Sequence, residues 1–275
     1  MILIATIILL TLVVLTPLAG RAMLDKRTDG EVRELFYQSQ SLEGKIFTHE
    51  QLRGLPNPVE EYFKHVLDEG QPYISYLRLR HDGWFKTGPD KKAMKIRGEQ
   101  YFTASRPGFI WIGKTRLFTA RDIYLKGKGR LVVSLLSLFK VADQQGPEVD
   151  QAELLRWLGE SVWFPTNLLP SENLQWSAID SSHARLTYTH NGLSVYYVVT
   201  FNEKNEITQM ATQRHMEDRG LQPWVGKVGE YREVDGVRVP GVIEASWDLE
   251  EGRYTYGRFK VQQFEYNIPE KFNAD

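Results

Sequence analysis

Between Glu153 and Trp176 the chain concentrates ionisable and aromatic side chains: Glu153, Arg156, Trp157, Glu160, Trp163 and Phe164, then Pro165, Leu168-Leu169-Pro170 and Trp176. Arg156 and Glu160 stand four residues apart, so on a helix they share one side and can pair. Trp163 follows one turn later. A carboxyl group removed from water among tryptophan and leucine side chains has a raised pKa, a route to a general acid. The same spacing serves a structural ion pair that holds a helix on a sheet. Leu155, Leu158 and Val162 make this segment amphipathic, so Glu160 is expected on the side facing the sheet, paired with Arg156 or Arg214. Arg78 and Arg80 share one strand face, and Arg214 lies at a strand end whose inward positions the pattern leaves unassigned. Arginines inside a curved sheet could hold an acidic headgroup or Glu160, whereas solvent-facing ones do neither.

Other chemistry is sparse. G-x-S-x-G, H-E-x-x-H, P-loop, G-x-G-x-x-G and EF-hand patterns are missing from the chain. Lys126-Gly127-Lys128-Gly129-Arg130 lacks Walker spacing and reads as a basic solvent turn. The six histidines have no partner at ligand spacing, and His215 beside Glu217 and Asp218 reads as a solvated strand end. No metal and no cofactor is expected. With Cys 0 there is no disulfide, thiolate metal site or cysteine nucleophile. A net charge of -1 lacks the surplus that nucleic-acid binding relies on.

The elements that must carry these residues begin with an apolar run at 2–18, broken only by Thr6, Thr11, Thr16 and Pro17 and uncharged until Arg21. Twenty helical residues span roughly 30 Å, about one hydrocarbon thickness. Met1-Ile2-Leu3 has no basic residue and Gly20-Arg21-Ala22 is a poor cleavage site, so an uncleaved anchor is preferred to a signal peptide. The expected organisation is a transmembrane anchor at 1–20, a helical stalk and linker at 21–54, and one domain at 55–275. Arg21, Lys26 and Arg27 argue for a cytoplasmic domain. An anchor ahead of one aromatic-rich β domain argues for export, and the extracytoplasmic side of a bacterial cell membrane is favoured.

In the stalk, residues 25–40 read as a polar helix with Val32, Leu35 and Phe36 as its apolar stripe. Thr48-His49-Glu50-Gln51 has the form of a capping box, and Pro58 suits the start of a helix over 59–67. From about residue 73 the period becomes two. Ala184, Leu186 and Tyr188, then Leu193, Val195, Tyr197, Val199 and Phe201, alternate around Asn191-Gly192, a strong hairpin signal. Folding there pairs Tyr188 with Val195, Leu186 with Tyr197 and Ala184 with Val199. Asp235-Gly236 marks a second such turn, and a parity slip at Gly257 in the last strand predicts a bulge. Earlier strands are expected at 75–81, 84–87, 95–104, 109–113, 121–126 and 131–138, with one helix at 150–159. This is α+β: a strongly curved antiparallel sheet, a half-barrel, packed with a few helices behind the anchor.

The residues 154–170, Trp176-x-x-Ile179-Asp180, Arg214, Pro223-Trp224, Val239-Pro240 and Trp247 resemble a bacterial family of unknown function whose members carry one N-terminal membrane segment. The similarity covers most of 55–266. The order of hairpins around a central helix also resembles the lipoprotein-carrier type of half-barrel, which implies a lipid or acyl-chain site inside the curve. The missing lipidation cysteine and uncleaved span fit a tethered binding protein better than a shuttling one.

Three functions are therefore weighed. The first is a membrane-anchored half-barrel binding an apolar or amphipathic ligand, with Trp84, Trp111, Trp157, Trp163 and Tyr197 as wall residues and Arg156, Glu160 and Arg214 as polar contacts. The second is a hydrolase using Glu160 with Arg156 or Arg214. The third is an envelope scaffold whose aromatics are only core.

Overall fold

The computed structural model describes residues 2–216 and 219–273, with side chains from residue 19 onward. The first helix, α1 (Ile2–Tyr37), ends in the expected polar segment, and its stripe of Val32, Leu35 and Phe36 is buried. The apolar run read as a membrane span lies outside the described side chains; among the described residues no helix is long and apolar enough to cross a membrane. A single 3-10 turn (His49–Leu52) carries the capping box, with the Thr48 N–H donating to Gln51 Oε1 at 3.0 Å. Helix α2 (Asn57–Val66) has Pro58 in its first turn and buries Val59, Tyr62, Phe63 and Val66.

Among the described residues thirteen strands follow: β1 (Tyr76–Phe85), β2 (Met94–Thr103), β3 (Gly108–Lys114), β4 (Phe118–Leu125), β5 (Lys128–Leu135), β6 (Phe139–Gln145), β7 (Leu174–Ala178), β8 (His183–His190), β9 (Leu193–Phe201), β10 (Ile207–His215), β11 (Leu221–Val234), β12 (Val237–Leu249) and β13 (Gly252–Tyr266). They form one antiparallel sheet made of two meanders, β1 to β6 and β7 to β13, joined where β1 pairs with β13. Among the described residues β6 and β7 have no strand on their outer sides, so the sheet is open. Helix α3 (Pro147–Glu160) leaves the β6 edge, and two 3-10 turns (Ser161–Trp163 and Pro165–Leu168) bring the chain to β7 at the other edge. α3 touches β4, β5 and β6 on one wing and β9 and β10 on the other, so the sheet curves around it. The expected α+β half-barrel is present.

The sheet buries both faces. Inside the curve, Phe102, Phe109, Leu186, Tyr197 and Val199 pack with Trp157, Leu158 and Trp163 of the α3 segment, and Phe47 and Leu52 join this core from the segment read as linker. Outside it, the α1 stripe meets Tyr76, Tyr101, Ile110, Ile112 and Ile123.

The predicted registers hold. Ala184 pairs with Val199, Leu186 with Tyr197 and Tyr188 with Val195, around Asn191 and Gly192 at φ 50° and 79°. Asp235 and Gly236 turn in the same way. Ala245 pairs with Gly257 and Ser246 with Thr255, which leaves Tyr256 as the extra residue of a bulge beside Gly257.

Several readings are corrected. The strands expected at 75–81 and 84–87 are one strand, β1, because Gly83 lets the backbone carbonyl of Arg258 approach where a Cβ would clash. β6 was not expected: its Phe139 and Val141 are exposed and its polar residues fall on both faces. The strand read as 131–138 stops at Leu135, since Leu136 and Ser137 turn at φ 53° and 62°. Arg78 and Arg80 lie outside the curve and fasten the chain end. Arg78 donates to the carbonyls of Glu270 and Lys271, Arg80 to that of Asn273, and both guanidinium groups cover the Phe272 ring.

Candidate ligand cavity

One end of the half-barrel is not filled. A cavity of about 210 Å³ lies between α3 and the sheet, walled by Phe85 of β1, Trp111 of β3, Met210 of β10, Trp224 and Val228 of β11, Ile243 and Ala245 of β12, and Tyr256 and Phe259 of β13. Strand alternation selects these residues: Phe85 continues the inward set Leu77, Leu79 and His81, and Trp111 that of Phe109. Two tryptophans lie flat along their own strands because the next inward residue is glycine. The Trp111 ring occupies the space where a Gly113 Cβ would stand, and the Trp224 ring comes within 2.8 Å of the corresponding point at Gly226. Any larger residue there would push the ring into the cavity. Trp224 Nε1 also donates to the Tyr256 hydroxyl at 2.9 Å, which fixes two wall residues together.

The polar part of the cavity wall combines Arg156 and Glu160 of α3 with Asp122 of β4 and Arg214 of β10. Arg156 Nε donates to Glu160 Oε1 at 3.0 Å, its Nη1 donates to Asp122 Oδ2 of β4, and Gln100 of β2 donates to the other Glu160 oxygen. The Arg156 guanidinium also covers the Trp111 ring at 4.8 Å. The side chains of Asp122, Arg156 and Glu160 are 15%, 14% and 16% exposed, so the triad is recessed, with one guanidinium bridging two carboxylates. Burial raises the Glu160 carboxyl above the usual range, and Arg156 holds it back. Burial alone would lower Arg156, but Glu160 and Asp122 outweigh it and fix its charge.

Glu153, three residues before Arg156 on α3, is 4% exposed and its Oε2 has no hydrogen-bond partner. Burial, reinforced by Asp122 and opposed by Arg214, pushes it up to about 8. His81 accepts a hydrogen bond from Trp111 Nε1 at 2.8 Å, and burial together with Arg156 lowers it to about 3, so it is a neutral acceptor that orients the indole. Arg214 lines the cavity with its guanidinium 5.8 Å from the Trp224 ring.

The structure brings together Trp111, Arg156, Glu160, Tyr197 and Arg214 around one void. Tyr197 reaches it because Gly159 admits its hydroxyl, which donates to the Leu155 carbonyl at 3.0 Å. Trp157 and Trp163 do not reach it. Trp157 donates to the Thr103 carbonyl and packs on Tyr188, while Trp163 donates to the Pro240 carbonyl between Phe102 and Phe264. Both are posts between the α3 segment and the sheet. Trp84 has the opposite parity to Phe85 and sits on the outer face, in a shallow groove with Lys95 and Arg97. Sequence reading missed Asp122, Phe85, Trp224, Tyr256 and Phe259 as wall residues. Their signals were strand parity and, for Trp224 and Phe259, a glycine two residues away. Among the described residues no group of three or more histidine or acidic side chains is placed to hold a metal ion.

No curated protein matches the chain. Among solved structures it is similar to a domain described as an outer membrane lipoprotein-sorting protein from Vibrio parahaemolyticus, at 9% identity over 77% of this chain and 91% of that one, with a TM-score of 0.41. It is also similar to a LolA superfamily protein from Nitrosomonas europaea, at 11% identity over 77% and 93%, TM-score 0.44. A DUF1329 family protein from Desulfovibrio piger gives 11% identity over 77% and 92%, TM-score 0.34. Residues 45–259, which include every residue that walls the cavity, match a family of unknown function, DUF6544, and the chain belongs to that family.

Proposed function

We propose that this protein is a membrane-tethered binding protein that takes the chain or ring of an apolar or amphipathic small molecule into the cavity between α3 and the sheet. The observation that carries the reading is the cavity itself, apolar along β1, β3 and β11 to β13 and polar where Asp122, Arg156, Glu160 and Arg214 face it, beside a densely packed core. An apolar void of roughly 150 Å³ in a protein core holds benzene. A void of about 210 Å³ suits one short chain or ring, and a multi-chain lipid would leave most of itself outside. Glu160 has both oxygens engaged by Arg156 and Gln100, an arrangement that suits a fixed wall better than a hydrolytic acid.

In this reading residues 1–20 anchor the domain, 21–54 lead into it and 55–275 form the binding body, on the extracytoplasmic side. The layout of the cavity supports tethering. The sheet end where β1 and β3 finish and β11 begins holds Phe85, Trp111 and Trp224, and the turns after β3 and β5 at that end expose Leu117 and Leu136. The second of these turns packs against α1 at Gly20, just beyond the apolar run.

The test is to purify residues 21–275 without detergent and record native mass spectra. The expected result is a soluble monodisperse chain carrying one small apolar or amphipathic adduct, released on denaturation. A chain that still pellets with membranes after a high-salt wash contradicts the anchor, and one that stays empty when offered single-chain amphiphiles favours the scaffold reading.

A further inference from the structure

We infer that the ligand of this cavity carries one carboxylate, and that Arg214 is its counter-ion; the inference rests on the binding reading above. The cavity wall holds two arginines with different surroundings. Arg156 is matched by Asp122 and Glu160. Arg214 is not matched in this way: among the described residues no carboxylate lies within ion-pair distance of it, and its guanidinium stands 5.8 Å from the Trp224 ring. A half-buried guanidinium without an anion is costly, and a carboxylate meets its paired N–H donors bidentately.

The carboxyl group whose charge bears on Arg214 is Glu153, with less effect than the Tyr256 hydroxyl. Burial keeps its proton on up to about 8, so at neutral pH it supplies little negative charge. Both wall carboxylates, Asp122 and Glu160, are drawn to Arg156, which leaves Arg214 as the wall arginine without a carboxylate on it. Arg214 is also the penultimate residue of β10, at the strand end, while Val228, Ile243 and Phe259 form the apolar wall. That order, cation at the strand end and hydrocarbon surfaces beyond it, matches a single-chain amphiphile with its acid on Arg214 and its tail inside.

The probes are octanoate, octan-1-ol and octyltrimethylammonium, equal in tail and different in head. They are titrated at pH 7 into the full chain in lipid nanodiscs, with empty nanodiscs as reference and tryptophan emission as the signal, since Trp111 and Trp224 line the cavity. A charge-assisted pair predicts that octanoate binds about tenfold to a hundredfold more tightly than octan-1-ol, and that the ammonium binds least. Arg214→Met should bring the acid-to-alcohol ratio to about one, and Arg214→Lys should keep part of the preference. Equal binding of acid and alcohol to the unaltered protein, or a preference that survives in Arg214→Met, overturns the counter-ion and leaves the binding reading standing. Saturable binding of none of the probes overturns both. If Arg214→Met fails to fold, the head-group comparison on the unaltered chain and Arg214→Lys still decides.

Discussion

Replacing Glu153 by glutamine should stabilise the protein by an amount that grows with pH. The folded chain keeps the Glu153 proton up to about 8, whereas an unperturbed glutamate releases it near 4.5. Between those values the folded state binds a proton that the unfolded state has lost, so stability falls as pH rises through the window. At 1.36 kcal/mol per pH unit the loss is ~3 kcal/mol at pH 7 and ~5 kcal/mol once pH exceeds the folded value. Glutamine keeps the shape of the protonated form and cannot ionise. Glu153→Gln should therefore match the unaltered protein at pH 4 and exceed it at pH 7 and 8.5. At roughly 2–4 °C per kcal/mol the gain at pH 7 is about 6–12 °C in Tm. Asp122 on β4, Arg214 on β10, and Arg156 and Glu160 on α3 face the same group and are present in both proteins, so the difference isolates residue 153. The assay is thermal unfolding followed by tryptophan emission at the three pH values, in identical nanodiscs. A difference that does not change with pH, or a variant less stable at pH 8.5, refutes a buried protonated Glu153.

Two further substitutions probe the frame around the cavity. Arg156→Met strands Asp122 and Glu160 in their recess and should cost about 3 kcal/mol in denaturant unfolding, with part recovered when Asp122→Asn is added; a single variant as stable as the parent removes the triad from the account. Gly192→Val forces a β-branched residue to φ 79° and should cost about 1–3 kcal/mol, visible as a lowered Tm.

The sheet was legible wherever turn chemistry and alternation agree. Asn191-Gly192 and Asp235-Gly236 are turn dipeptides that accept positive φ, and the strands beside them bury alternate residues, so one register satisfies both. Legibility ended where either signal failed. Leu136 and Ser137 take positive φ without a glycine, asparagine or aspartate, which hid both the end of β5 and the start of β6. Gly83 looked like a break between strands although it is a close approach inside one, because pattern records a missing side chain and not the carbonyl that takes its place.

The site divides along the same line. Arg156 and Glu160 were readable because helical geometry alone makes them neighbours. Asp122, 34 residues away from Arg156, completes the triad only after β4 and α3 are brought together by the curved sheet. The aromatics posed a different problem, since a tryptophan that fills a core and one that walls a void have the same hydrophobicity. What separates them is the volume opposite. On a strand, residues i and i+2 share a face, so a glycine at that spacing lets a ring lie along the strand and leaves space above it. Trp111-Ile112-Gly113, Trp224-Val225-Gly226 and Gly257-Arg258-Phe259 all have this form, and all three rings line the cavity. Trp163 has serine and proline at those positions and stands upright into the core. Trp157 does have Gly159 two residues on, but on a helix that spacing points to another side, where the glycine admits Tyr197 instead. The spacing therefore marks a cavity wall only after the period of the segment is known, so the strand assignment has to precede the site.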